Sequence, residues 1–184
     1  MQSMITDVLT ISLGIFIALM LRDMFKRTKQ KNKINRVLRG ILAEIAADKG
    51  RVSQVQPSQN KLIDELNGLL ANYTKAAARN LLDKASVIPL NLSTNAYDSA
   101  KYAGVIPHFD YDVVTTINRY YNEVNEVKNT EKRFFDVALS AQDPTKDYVN
   151  KLLTLLVILR SQEKDFIEIQ EQVLNELTNY DANL

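Results

Sequence analysis

The residues able to do chemistry are few, and their spacing limits what they could do. His108 is the single histidine and stands beside Pro107 in a stretch that reads as a loop. A metal site needs partner ligands at fixed spacing, and neither HExxH nor an equivalent occurs, so no metal is expected. Cysteine is absent, which removes thiol nucleophiles, thiolate metal sites and disulfides together. The glycine-rich cradles for dinucleotides and phosphates and the GxSxG nucleophile turn are missing as well, so no cofactor is expected. Glu163, Asp165, Glu168 and Glu171 recur at the spacing of a solvated helix face and lack the Glu-x-x-His pairing of di-iron bundles. Tyr97, Tyr102, Tyr111, Tyr120 and Tyr121 gather in one segment, where packing in a core or interface is their expected work. No catalytic set emerges, and the chain reads as a non-enzyme.

One further ionisable residue, Asp7, belongs to the element around which the chain is organised. Val8–Leu21 is fourteen residues without a charge, followed at once by Arg22, Lys26, Arg27, Lys29, Lys31, Lys33, Arg36 and Arg39. Fourteen residues are short for a bilayer, which needs roughly 20, but Met4–Phe25 reaches about 33 Å at the helical rise. Ile11–Leu21 is apolar on every side apart from Ser12, which leaves no polar face for water. The expectation is a transmembrane anchor over 1–25, a basic juxtamembrane stalk over 26–33, and a helical bundle over 34–184. Lys26, Arg27, Lys29, Lys31 and Lys33 of the stalk would meet anionic membrane lipid. The basic cluster lies wholly on the C-terminal side of the apolar run. The positive-inside rule therefore predicts a single-pass membrane protein with its N-terminus outside and its body in the cytoplasm. Within the span, Asp7 is either an interhelical or proton-path partner or a cap at the helix start. Gly14 with Ala18 makes a small-xxx-small pair that permits close helix approach.

The charge pattern agrees with a lipid surface and speaks against nucleic acid. Residues 1–39 carry eight Lys/Arg and two acids and the rest of the chain fifteen and twenty, so the formal charge of +1 hides a basic collar and a mildly acidic body. A nucleic-acid binder would spread its positive charge over the folded domain.

Beyond the collar the pattern is helical. Ile34, Leu38, Ile41, Ile45 and Val52 continue the first helix with one apolar stripe. A turn is expected at Val55–Ser58, with Pro57 opening a second helix through Leu62, Leu66, Leu69 and Tyr73 that ends near Lys84. Ser86–Leu92 cannot be helical through Pro89 and reads as an extended link laying apolar side chains on the body. A short helix with Ser93 or Thr94 as cap and Gly104 as stop comes next. Asp110 would cap a helix with Val113, Ile117, Tyr120, Val124, Val127 and Phe134 on one side. After a break at Ser140–Pro144, with Asp143 as cap and Pro144 in the first helical position, the last helix carries Leu152–Leu159 through the centre of the core. The fold class is all-α: an N-terminal transmembrane helix continuing into a stalk and an antiparallel helical bundle with coiled-coil character.

Two stretches resemble a widespread class of uncharacterised bacterial single-span membrane proteins with a C-terminal helical domain. Gly14-Ile15-Phe16-Ile17-Ala18-Leu19 is similar to the glycine–aliphatic–Ala-Leu span of that class, with an acid upstream as at Asp7. Ser93 to Tyr121 resembles its second pattern through Thr94, Ala96-Tyr97, Gly104 and Tyr120-Tyr121. The class carries tryptophan where Tyr97 stands and basic residues ahead of its span. The resemblance implies architecture and no activity. The expected function is a non-catalytic, membrane-anchored interaction or scaffolding subunit of a larger membrane complex, with a protein partner or further copies of itself. The alternative is a membrane sensor or ion- or proton-linked transport accessory that uses Asp7 or a pocket in the bundle.

Overall fold

A computed structural model describes the backbone of residues 2–84, 88–140 and 144–182, and the side chains of 13–84, 88–140 and 144–180. Among these residues the chain is all-α, with α1 (Gln2–Ala71), α2 (Lys75–Lys84), α3 (Asn95–Tyr102), α4 (Tyr111–Leu139), α5 (Lys146–Ala182) and a single 3-10 turn at Ile106–His108.

Two long seams organise the bundle. The buried positions of α1 are Leu38, Ile41, Ile45, Asp48, Val52, Val55, Gln59, Leu62, Leu66 and Leu69, and those of α5 are Val149, Leu152, Leu156, Leu159, Glu163, Phe166, Gln170, Val173 and Leu177. In both, the steps alternate between three and four residues, the average of 3.5 that keeps one seam facing a partner helix. The apolar members supply about 1.5–3 kcal/mol each when fully buried. The expected α4 stripe from Val113 to Phe134 is buried, and Tyr121 joins it.

Side-chain pairs give the directions. Lys49 bonds Glu171 at 2.7 Å and Gln59 bonds Glu163 at 2.6 Å, so α1 and α5 are antiparallel. Thr116 bonds Glu176 at 2.7 Å while the Tyr148 hydroxyl reaches the Val137 carbonyl at 3.0 Å, so α4 and α5 are antiparallel too. α1 and α4 therefore run parallel. The chain returns from the end of one to the start of the other through α2, a non-helical stretch over 88–94 that turns at Asn91 with φ +50, and α3. Leu90 and Leu92 of that stretch are buried as expected, and Gly104 ends α3 with φ +64.

Several expectations are corrected. α1 passes straight through Pro57, where a turn is expected from the sequence. Proline inside a helix removes one backbone bond and crowds a carbonyl, at roughly 3 kcal/mol. Here Val52 and Val55 before it and Gln59 and Leu62 after it are all buried, while Pro57 is exposed. Seam packing on both sides outweighs the local cost. The break falls instead after Ala71. The Thr74 hydroxyl accepts the Ala77 amide at 3.2 Å to start α2, and the Tyr73 hydroxyl donates to the Pro144 carbonyl at 2.5 Å. At the start of α5 the Thr145 hydroxyl accepts the Tyr148 amide at 3.1 Å, and Pro144 lies ahead of the helix. Asp143, expected as its cap, lies outside the described residues.

The transmembrane anchor is overturned. No helix among the described residues is long and apolar enough to cross a membrane. The uncharged run Val8–Leu21 ends at Arg22 and Asp23 and rises only about 21 Å at the helical repeat against about 30 Å of hydrocarbon. The single-pass membrane localisation, with the N-terminus outside and the body cytoplasmic, falls with it. What stands in its place is a helix exposed from Leu13 through Lys33, whose burial begins at Ile34.

Candidate functional site

The densest polar constellation lies where α1, α3 and α4 meet. Glu44 and Asp48 are one turn apart on α1 and so share a face. Asp48 is fully buried. It accepts the Tyr120 hydroxyl at 2.8 Å and the Ser93 amide at 3.3 Å, and pairs with Arg51. Glu44 accepts the Tyr121 hydroxyl at 2.6 Å, the Ser93 hydroxyl at 2.6 Å and the Ala96 amide at 2.9 Å. The Tyr97 ring stacks on Tyr121 with centroids 4.3 Å apart, its hydroxyl bonds Asn118, and Lys101 sits 3.9 Å above its other face. Ser93, Tyr97, Tyr120 and Tyr121 thus gather around Glu44 and Asp48 of α1.

This cluster clamps α3. Thr94 stands at the N-cap, but its hydroxyl donates to Asp98 at 2.9 Å and leaves the helix amides to others. Glu44 takes the Ala96 amide, and the Ser93 hydroxyl takes the Asn95 amide at 3.3 Å. At the opposite end the Lys33 ammonium donates to the Ala103 carbonyl at 2.8 Å. An anion at the positive end of α3 and a cation at its negative end both match the helix dipole.

The electrostatics are those of a lock. Burial raises the Asp48 carboxyl above its ordinary value, against the pull of Tyr120, Ser93 and Arg51. Burial also raises the Tyr120 and Tyr121 phenols far above the ordinary 10, with Asp48 adding to the first and Glu44 to the second. Both phenols therefore stay protonated and donate. A general base needs a lone pair aimed at substrate, whereas the oxygens of Glu44 and Asp48 are already bonded within the fold. Two further acids serve the bundle in the same way. Glu163 accepts Gln59 and Arg160, each at 2.6 Å, and Glu131 accepts the Leu90 amide at 2.6 Å; burial raises both carboxyls.

No family model, curated protein or solved structure matches the chain.

The residues singled out from the sequence fall in several places. The Asp7 side chain lies outside the described residues. Gly14 and Ala18 are on the exposed part of α1, and a Cβ added at Gly14 would meet nothing within 4 Å. Lys26, Arg27, Lys29 and Lys31 are exposed, and Lys33 is the one that caps α3. His108 is exposed, and among the described residues no three His, Cys, Asp or Glu side chains are grouped to hold a metal. The tyrosines divide: Tyr120 and Tyr121 are buried, Tyr97 is half-buried, and Tyr102 and Tyr111 are exposed. One cleft in the bundle, of about 260 Å³, is lined by Leu62, Leu66, Leu82, Phe134, Phe135 and Leu152 among others, with no ionisable side chain, and another is lined in part by Lys61, Glu65 and Lys84.

Glu163 is a correction. It belongs to the seam and not to a solvated face, while Asp165, Glu168 and Glu171 are exposed as expected. Glu44, Asp48, Arg51 and Gln59 are absent from any reading of motifs, yet a signal existed. Asp48, Gln59, Glu163 and Gln170 occupy steps of the three-and-four apolar repeat, and polar residues at such steps are there to find partners.

Proposed function

We propose that this chain is a non-catalytic interaction protein whose working surface is the exposed N-terminal part of α1, with the bundle as its rigid base. The observation that carries the reading is a continuous helix on which Leu13, Phe16, Leu19, Met20, Met24 and Phe25 are exposed, Phe16 at 59% and Phe25 at 73%. A contiguous apolar surface of this kind marks a contact site, and an apolar helix is met by another helix through interleaved side chains. The polar clusters support the same reading. Their carboxylates are consumed in positioning α1, α3 and α4, which suits a stiff mount for a projecting helix.

The test is the mass of the assembly isolated with the full chain. Wild type is expected well above the 20.9 kDa of the single chain, as copies or with a second polypeptide. Phe16→Glu combined with Leu19→Glu is expected to return it to 20.9 kDa. A wild-type chain that stays a lone monomer at every concentration overturns the reading. Both substitutions are on exposed positions, so the helical circular dichroism spectrum of the folded chain should be unchanged.

A further inference from the structure

At the far end of the bundle, about 60 Å along α1 from Phe25, four helices leave a cleft of about 260 Å³ between them. Leu66 of α1, Leu82 of α2, Phe134, Phe135 and Ala138 of α4, and Leu152 of α5 stand in its wall. Leu66, Phe134 and Leu152 are buried and form its floor, while Leu139, 85% exposed, stands at the lip. All eight lining side chains are hydrocarbon. The Ala138 carbonyl, in the last turn of α4 where carbonyls lack helical partners, accepts the Tyr148 hydroxyl at 3.1 Å. The cleft therefore presents no polar side chain, and this carbonyl is already engaged.

We propose that this cleft binds a small uncharged apolar molecule of about ten carbon atoms. Protein interiors are packed to the density of organic crystals, and gaps larger than a water molecule are few. An apolar cavity of about 150 Å³ stays dry and takes up benzene, and by that measure about 260 Å³ takes about ten carbons. Size excludes a helix of another chain. The walls exclude a charged or strongly hydrogen-bonding ligand, which would shed its water and find no side-chain partner. Entry is by way of α2. Of its ten residues only Ala78 is buried, and Leu82 is half-buried, so α2 is the wall that opens at least cost. The site lies apart from the exposed part of α1 and stands independently of the contact reading.

The experiment uses the full chain, with naphthalene as the probe and naphthoate as its charged counterpart. Naphthalene is expected to bind about tenfold or more tighter than naphthoate, because the carboxylate has no partner in the cleft. It should also raise the melting temperature as its concentration rises, and give proton Overhauser contacts to the methyl groups of Leu66, Leu82 and Leu152. Ala138→Phe sets a ring into the cleft and should weaken naphthalene binding about tenfold or more. Ala138→Leu fills only part of the space and should weaken binding by a smaller factor, which keeps the test open if the larger ring disturbs the fold. No binding of naphthalene, equal binding of the two probes, or binding unchanged by either substitution overturns the inference. So do Overhauser contacts confined to Leu13, Leu19 and Leu21 of the exposed helix.

Discussion

Replacing Arg160 by methionine keeps the aliphatic stem and removes the charge that faces Glu163. The Glu163 side chain has no exposure to water, and Arg160 is 21% exposed, with its Nη1 at 2.6 Å from Glu163 Oε2 and its Nε at 3.0 Å from Asn60. Breaking a fully buried ion pair costs about 3–5 kcal/mol, and the partial exposure of Arg160 reduces this to about 2–3 kcal/mol. A chain of this size loses about 2–4 °C of melting temperature per kcal/mol, so Arg160→Met should melt about 4–12 °C lower at pH 7. The deficit should also depend on pH, with a definite sign. The folded pKa of Glu163 is already raised by burial, and loss of the guanidinium raises it further. The folded state then holds a proton that the unfolded state has lost. The stability gained on protonation is full below the unfolded value of about 4.3 and is lost as pH rises through the folded value. Urea unfolding at pH 7 and pH 5, followed by far-ultraviolet circular dichroism, should show the deficit shrinking at pH 5. A loss below about 0.5 kcal/mol at pH 7, or one equal at both pH values, would refute the assignment of Glu163 as a buried, charge-compensated register residue.

Other outcomes follow from the cluster around α3. Tyr121→Phe removes a hydrogen bond to Glu44 and should cost about 1.5–3 kcal/mol, with hydrogen exchange accelerating at the amides of residues 96–103. Gly104→Ala places a side chain at φ +64 and should cost about 1–2 kcal/mol in thermal unfolding. In an alkaline titration followed at 295 nm, Tyr120 and Tyr121 should stay protonated until the protein unfolds. Their raised pKa values hold stability in full below about pH 10, and that stability is lost as pH rises beyond it.

Much of the architecture was legible in the residue pattern, because burial along α4 and α5 follows a repeat that needs no tertiary knowledge. Gly104 announced the end of α3, and Pro89 announced the non-helical return. Pro57 misled, since its local preference for a helix start is weaker than a seam buried on either side of it. The apolar run at Val8–Leu21 misled as well. An all-round apolar helix predicts that something must cover it and does not specify a bilayer. The clamp on α3 was illegible for a different reason. Glu44 and Ala96 are 52 residues apart, and an amide capped by a distant carboxylate leaves no local motif. What could be read was that Asp48, Gln59, Glu163 and Gln170 break an apolar repeat and must find partners.

The chain has no cysteine, so a single thiol reports its own surroundings. Ala18 lies on the exposed helix proposed as the contact surface, and Ala46 is exposed on the outer side of the bundle. Maleimide labelling of Ala18→Cys and Ala46→Cys in the isolated assembly reads out whether α1 is its contact surface. Contact through α1 predicts that the thiol at 18 is protected in the assembly, becomes reactive when Phe16→Glu and Leu19→Glu are added, and that the thiol at 46 reacts freely throughout. Equal and rapid labelling at both positions in the intact assembly would contradict it.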